Sequence, residues 1–495
     1  MTFLKDITWT EIFIFAHTCA ALGCVLRVLY KQKNIGSTFA WLIILFLFPV
    51  FGTIAYLLIG EPRLGTARAK RTGEMNCFYQ SFAETYLSAI YLGVGENVKS
   101  RYHGISKVAA KGTGLGATRN NAMTLLSTTD EIINTMLADI RAARHSCMLA
   151  FYIIEPEGRI EELLNELLAA ADRGLDCAIL ADAVGSSRFF DSGWVETLRE
   201  AGIEVHASLP VGVWRTFFTR TDLRNHRKIL VIDGREAYVG SHNLVAPDYD
   251  TPSYAKAGML YDDTSVSVTG PIVAQIQAVF AVDWYYACKE ILTPEVLTPP
   301  AAQLAAKNED THISAMQIIP SGPAFKGEPN LRAFVHMVSL ARTHVSITSP
   351  YFIPDETLMT ALTNAALSGV EVELFVSEQF DQFLVGHAQR SYYGMLLKAG
   401  VLIHLYHKPR MLHSKYMIVD GNLCVIGSSN MDVRSFGLNY EIMLVADSSR
   451  LVEMLHGNDD RTREKSRQLT YEEWRGLPWH VHYIDNVCRL GSSLL

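Results

Sequence analysis

Two stretches of this chain carry the same reactive residues at the same spacing. The first runs Asn225-His226-Arg227-Lys228 to Asp233-Gly234 and on to Gly240-Ser241-His242-Asn243. The second runs Leu412-His413-Ser414-Lys415 to Asp420-Gly421 and on to Gly427-Ser428-Ser429-Asn430. In both, Lys stands two residues after His, Asp seven after and Asn seventeen after. With 16 histidines in 495 residues, an accidental His-x-Lys-x-x-x-x-Asp is expected only about 0.03 times, and two with matching Asn far less often. Each copy offers an imidazole, an ammonium and a carboxamide. Two such sets facing one another suit a phosphodiester. A neutral imidazole can attack phosphorus and hold it covalently. The opposite imidazole, protonated, can deliver a proton to the leaving alkoxide and later take one from the incoming hydroxyl. Lys228, Lys415, Asn243 and Asn430 supply charge and donors for the phosphoryl oxygens. No cofactor is needed, and no His/Cys cluster has metal-ligand spacing.

The elements that must position these groups are legible around them. His and Lys two apart on a strand share a face. Asp233-Gly234 and Asp420-Gly421 read as hairpin turns, after which the chain returns to bring Asn243 or Asn430 beside its histidine. Asp233 and Asp420 belong to the catalytic motif by spacing, yet by themselves they read as turn or ion-pair residues. The repeat extends upstream. Ala143–Ile153 resembles 341–352, Arg173–Leu180 parallels 368–375, and Ala201–Val205 parallels 399–403. Each reads as a helix, a stop and a strand, so the expected body is two α/β units related by a pseudo-twofold axis, with mixed sheets flanked by helices. The expected division is a membrane hairpin over 1–60, a linker over 61–120 holding the Gly112–Gly116 cluster, a first lobe over 121–305 and a second over 306–495.

The N-terminus is of another character. Asn34 to Gly60 contains no charged residue, and Ile12 to Leu29 is interrupted by little beyond His17, Thr18 and Arg27. These runs predict two membrane helices joined by a turn carrying Lys31 and Lys33. Lys5, Arg63, Arg68, Lys70 and Arg71 on the other side lean toward a cytoplasmic body. The eight cysteines form no Cys-x-x-Cys, which fits scattered buried thiols in a reducing compartment. Net charge is −7, so nothing points to nucleic acid. His145, His344 and His387 read as core or surface histidines. The basic and aromatic segment 214–224 reads equally as a surface for anionic headgroups or as a solvated loop; Trp474, Trp479, Val481 and Tyr483 could also touch the interface, with packing against the body the plainer reading.

Paired His-x-Lys-x-x-x-x-Asp motifs resemble the phospholipase D superfamily. Ala40-Trp41-Leu42, Gly52–Leu57 before Gly60-Glu61, Leu223–Lys228, Asp283-Trp284, Ser349–Pro354, Asn430–Ser435 and Leu438–Glu441 make the chain similar, nearly end to end, to bacterial-type cardiolipin synthases. The resemblance implies two phospholipase D-like lobes with the site between them. It implies phosphatidyl transfer between two phosphatidylglycerol molecules, giving cardiolipin and glycerol, at the bacterial inner membrane. His226 would be the nucleophile and His413 the acid/base, or the reverse. In the superfamily a downstream acidic residue orients the motif histidine. Glu441 fits for the second copy; the equivalent offset in the first falls on Tyr254, so Asp263 is the candidate there. The partners implied are membrane phospholipids. A homo-oligomer is left open, although one chain already carries both halves of a site. A phospholipase D or a phosphatidylserine synthase-like transferase, using water or another alcohol as acceptor, would need the same residues.

Overall fold

A computed structural model describes residues 8–30, 35–60, 102–210, 220, 222–246, 248, 260–292, 314–325 and 327–492. Most of segment 214–224 therefore lies outside the described residues. One 15-stranded mixed sheet runs through the body. Its first half contains β1 (Thr118–Leu126), β2 (Ser146–Phe151), β3 (Asp176–Asp182), β4 (Glu204–Ser208), β5 (Ile229–Ile232), β6 (Glu236–Gly240) and β8 (Ser265–Thr269). Its second half contains β9 (Ser314–Ser321), β10 (His344–Thr348), β12 (Glu371–Ser377), β13 (Leu402–Tyr406), β15 (Tyr416–Val419), β16 (Leu423–Gly427), β18 (Glu441–Asp447) and β19 (Ser466–Leu469). The order β4-β3-β2-β5-β6-β8-β1 is mirrored by β13-β12-β10-β15-β16-β18-β9, with β19 added at the edge. The halves join where β1 pairs antiparallel with β9. Within this large sheet, parallel pairing among the named strands is confined to β2-β3-β4 and β10-β12-β13, the strands linked by crossover helices. Two small sheets, β11 (Phe352–Ile353) with β17 (Met431–Asp432) and β7 (Leu260–Asp262) with β14 (Arg410–Leu412), are parallel; the second pair crosses from one half to the other.

Burial explains the strand composition. β2, β5, β15 and β16 are buried throughout, so they are apolar on both faces rather than alternating. One face packs the helices Ile272–Cys288 and Ser449–Glu464 across both halves, in a core including Phe280, Trp284, Leu451 and Leu455. The other face carries a separate core in each half.

Two expectations need correction. The stretch before the first lobe is not all linker. Tyr102–Thr113 is a helix whose Tyr102, Ile105 and Ala109 enter the core of the second lobe, and β1 already begins at Thr118. The N-terminal runs do not form two full-length helices. Trp9–Tyr30 is a 22-residue apolar helix long enough to cross a membrane. The second run breaks at Phe48 into Ile35–Leu47 and Pro49–Ile59, 13 and 11 residues long. At 1.5 Å per residue, neither short helix crosses a hydrocarbon core of about 30 Å. Pro49 cannot donate a helical hydrogen bond and its ring crowds the preceding turn. Gly52 completes the bend, because a Cβ there would lie 2.6 Å from the Ile44 carbonyl oxygen. Trp41 and Tyr56 then meet edge to face at 5.2 Å and pack with Cys24 and Val28 of the long helix.

Candidate active site

His226 lies in the connection leading into β5, and His413 leads into β15. Both line one cavity of about 470 Å³ together with Asn243, Asn430, Tyr152, Tyr261, Arg224 and Arg434. Lys228 and Lys415 are buried behind them. Their ammonium groups donate to the carbonyl oxygens of His226 and His413, at 2.6 and 2.5 Å. Burial pushes both Lys residues down, Lys415 to about 8. Ring edges pack each imidazole: Tyr152 against His226 at 5.0 Å and Tyr261 against His413 at 5.6 Å.

The acidic partners are exchanged between the copies. His226 Nδ1 lies 3.0 Å from Glu441 Oε2 and 3.1 Å from the Ser428 carbonyl oxygen. His413 Nδ1 lies 2.7 Å from Asp263 Oδ1. The expected pairing of Glu441 with His413 and Asp263 with His226 is therefore reversed. Backbone geometry accounts for it. His226 N–H donates to the Tyr440 carbonyl, and His413 N–H to that of Asp262, each at 2.9 Å. The segment bearing each carboxylate thus runs beside the other copy's histidine. Donation of Nδ1–H to a carboxylate fixes the tautomer and leaves the lone pair on Nε2.

Two serines belong to this arrangement and were not singled out from sequence. Ser428 Oγ donates to Glu441 Oε2 and Ser241 Oγ to Asp263 Oδ1, both at 2.6 Å. The signal was present as Gly-Ser at the same place in both copies. Each glycine has a steric reason. A Cβ on Gly240 would sit 2.5 Å from Ser265 Cα, and one on Gly427 would sit 2.2 Å from the Ile442 carbonyl oxygen. Only glycine lets the carboxylate strand approach so closely.

The electrostatics follow from burial. Burial drives His226 down to about 4, opposed by Glu441 and reinforced by Lys228 and Lys415. His413 is also lowered, first by burial, with Asp263 opposing. For Asp263 and Glu441, burial alone would raise the carboxyls, but the facing histidine and lysines hold both below the usual range. His242, a third buried histidine beside Asn243, is lowered by burial to about 4 and stays neutral.

Asp233 and Asp420 are not in the cavity. They sit in the hairpin turns at the opposite ends of β5 and β15, each with φ of 52°. The Asp233 carboxylate accepts N–H groups of Arg144, His145 and Ser146. Asp420 accepts those of Arg342, Thr343 and His344. The motif aspartates are latches between hairpin and neighbouring strand, which corrects their place in the catalytic set. His344 is engaged by Glu373, and His387 by Asp485, both away from the cavity. Among the described residues, His344, Glu371 and Glu373 could come together on a metal ion, but Glu373 is already held by His404 and Arg463.

Arg227, between the reactive His and Lys, joins the two halves. Its guanidinium pairs with Asp283 at 2.5 Å and donates to the carbonyl oxygens of Glu441 and Ser321.

Two copies of one α/β unit, each placing a His-x-Lys motif on a shared cavity, define a phospholipase D-like architecture. The chain belongs to the cardiolipin synthase family. The model described as "Cardiolipin synthase, PLD-like domain" matches residues 136–284 and 334–458, and one described as "Phospholipase_D-nuclease N-terminal" matches 19–61. Cardiolipin synthase A of Pectobacterium carotovorum subsp. carotovorum (strain PC1) is 34% identical over 497 residues, and that of Serratia proteamaculans (strain 568) 36% over 504, covering 100% of both chains in each case. A solved phosphatidylserine synthase from Haemophilus influenzae Rd KW20 shares the fold, with a TM-score of 0.58 at 15% identity over 79% of this chain and 100% of that one.

Proposed function

We propose that this protein transfers a phosphatidyl group from one phosphatidylglycerol to another, giving cardiolipin and glycerol. The observation that carries the reading is the pair of histidines on one cavity, each with Nδ1 on a buried carboxylate of the opposite copy. In this reading His226, which burial keeps neutral, is the nucleophile. Its Nε2 attacks phosphorus, the bond to the glycerol oxygen breaks, and protonated His413 gives that oxygen its proton. A hydroxyl of the second phosphatidylglycerol then loses its proton to His413 and attacks phosphorus, and the N–P bond breaks. Glu441 and Asp263 stabilise the imidazolium form of the histidine each one faces. Lys228, Lys415, Asn243 and Asn430 hold the phosphoryl oxygens.

Family membership and the long apolar helix make this a membrane-associated protein. We place it in the inner membrane with its catalytic body in the cytoplasm. Arg63, Arg68, Lys70 and Arg71, which follow the apolar run in sequence, favour this orientation by the positive-inside rule.

The test is the full chain in phosphatidylglycerol vesicles, following lipid products and free glycerol. Cardiolipin and glycerol should appear in equal amounts and vanish in His226→Ala and His413→Ala. Phosphatidic acid without cardiolipin would move the assignment to a hydrolase.

A further inference from the structure

The last helix, Trp479–Ser492, has one face that the fold leaves uncovered. Trp479, Tyr483, Val487 and Leu490 are 79%, 64%, 49% and 72% exposed. Their spacing of four, four and three puts them in a single row. The opposite face is clamped to the helix Phe383–Ala399. Asp485, 1% exposed, takes His387 Nδ1 at 2.6 Å and Arg390 Nε at 2.8 Å, and the Arg489 guanidinium stacks on Tyr392 at 4.6 Å. The row is thus displayed on a fixed element.

The supporting helix shows the same character where it meets the cavity. Gln382 and Val385 line the cavity, while Phe383 and Leu384 between them are 67% and 59% exposed. Apolar side chains this large at the mouth of a site have no reason to face water. Charge points to the occupant. The only carboxylate in Trp479–Ser492 is the buried Asp485, while Arg489 is cationic and His480 and His482 can become so. No carboxylate on this helix therefore repels an anionic surface. A rigid amphipathic helix with Trp, Tyr and Leu on one face and no exposed acid has the composition of an element lying in a membrane interface.

We propose that the Trp479–Leu490 row and the Phe383–Leu384 tip dock the catalytic body onto an anionic phospholipid bilayer, so that the cavity opens directly onto lipid. The N-terminal helix tethers the body; this surface orients it. The proposal goes beyond the transfer reaction, since any lipid phosphodiester substrate would need the same docking.

The experiment uses the full chain reconstituted in phosphatidylcholine–phosphatidylglycerol vesicles containing lipids brominated near the top of the acyl chain. Tryptophan emission of the wild type should include a lipid-quenched component that Trp479→Phe lacks. The double variant Tyr483→Ser/Leu490→Ser should lose about threefold more of its rate on bilayer phosphatidylglycerol than on monomeric short-chain phosphatidylglycerol. A Trp479 component insensitive to brominated lipid overturns the proposal, whether that side chain is then bare to aqueous iodide, covered by the chain's own residues, or shielded in proportion to protein density by a second copy. Equal losses on bilayer and monomeric substrate also overturn it. Quenching in a protein that makes phosphatidic acid instead of cardiolipin would uphold the docking and refute only the proposed product.

Discussion

Glu441→Gln should disable His226 and leave the environment of His413 intact. The substitution keeps the shape of the side chain and removes the charge that faces His226 Nδ1 at 3.0 Å and receives Ser428 Oγ at 2.6 Å. A hydrogen bond to a charged group contributes about 1.5–3 kcal/mol. If it stabilises the imidazolium that forms as His226 bonds to phosphorus, the loss corresponds to about 10- to 150-fold in rate. Single-turnover release of glycerol from labelled phosphatidylglycerol reads that step directly. The pairing itself is read by a double-mutant cycle on urea unfolding in detergent. Glu441→Gln combined with His226→Ala should show a coupling of about 1.5–3 kcal/mol. Combined with His413→Ala it should be additive within about 0.5 kcal/mol. A coupling to His413 as large as that to His226 would refute the exchange of carboxylates between the copies.

Asp263→Asn should give the mirror result, coupling to His413 and slowing transfer to the second lipid as well as glycerol release. The pH dependence follows from burial. In the free protein His226 must be neutral and His413 protonated, so the acid limb of kcat/KM should fall near pH 4, where His226 titrates, and its alkaline limb below the usual imidazole value of about 6.5. A bound phosphodiester anion favours the protonated form of His413, so kcat should peak at higher pH than kcat/KM; coincident limbs would contradict this. Arg227→Met leaves Asp283 buried without its cation and should cost about 3–5 kcal/mol in urea unfolding, much of it recovered in Arg227→Met/Asp283→Leu. Asp233→Asn and Asp420→Asn remove acceptors for backbone N–H groups far from the cavity; each should lower stability by about 1–3 kcal/mol, with kcat at permissive temperature falling far less than in either histidine variant.

What the sequence could reveal depended on whether the signal was local. The duplicated His, Lys and Asn offsets and the Asp-Gly turns lie within short segments, and β5-β6 and β15-β16 form as hairpins where those offsets place them. The same within-copy arithmetic cannot see a partner supplied by the opposite copy, so it points to Glu441 and Asp263 but assigns each to the wrong histidine. Ser241 and Ser428 went unremarked because a Gly-Ser pair has no chemistry until the strand beside it carries a carboxylate. Hydropathy likewise reads the run from Asn34 to Gly60 as one apolar span in which Pro49 and Gly52 are tolerable, and does not show that together they bend it at Phe48. The helix Tyr102–Thr113 was lost among linker-like residues, since the surface it packs on belongs to the second lobe, more than 200 positions along the chain.

The exchange of carboxylates ties the chemistry to the seam between the lobes. A lobe by itself would hold a histidine without its acid and an acid without its histidine, so neither copy is half of an active site in the ordinary sense. Alignment of the lobes becomes a requirement of each imidazole's tautomer. The structure meets it close to the reactive residues: β1 pairs with β9 at the seam, the Asn225–Tyr440 bridge lies next to His226, and β7 pairs with β14 next to His413. Arg227 adds a buried cation that holds the Glu441 carbonyl from the first copy's own motif. A slip of one residue at the Asn225–Tyr440 bridge would shift Glu441 relative to His226, and one in the β7–β14 pairing would shift Asp263 relative to His413. Arg227, the residue between His226 and Lys228, thus helps hold the register on which His226 depends.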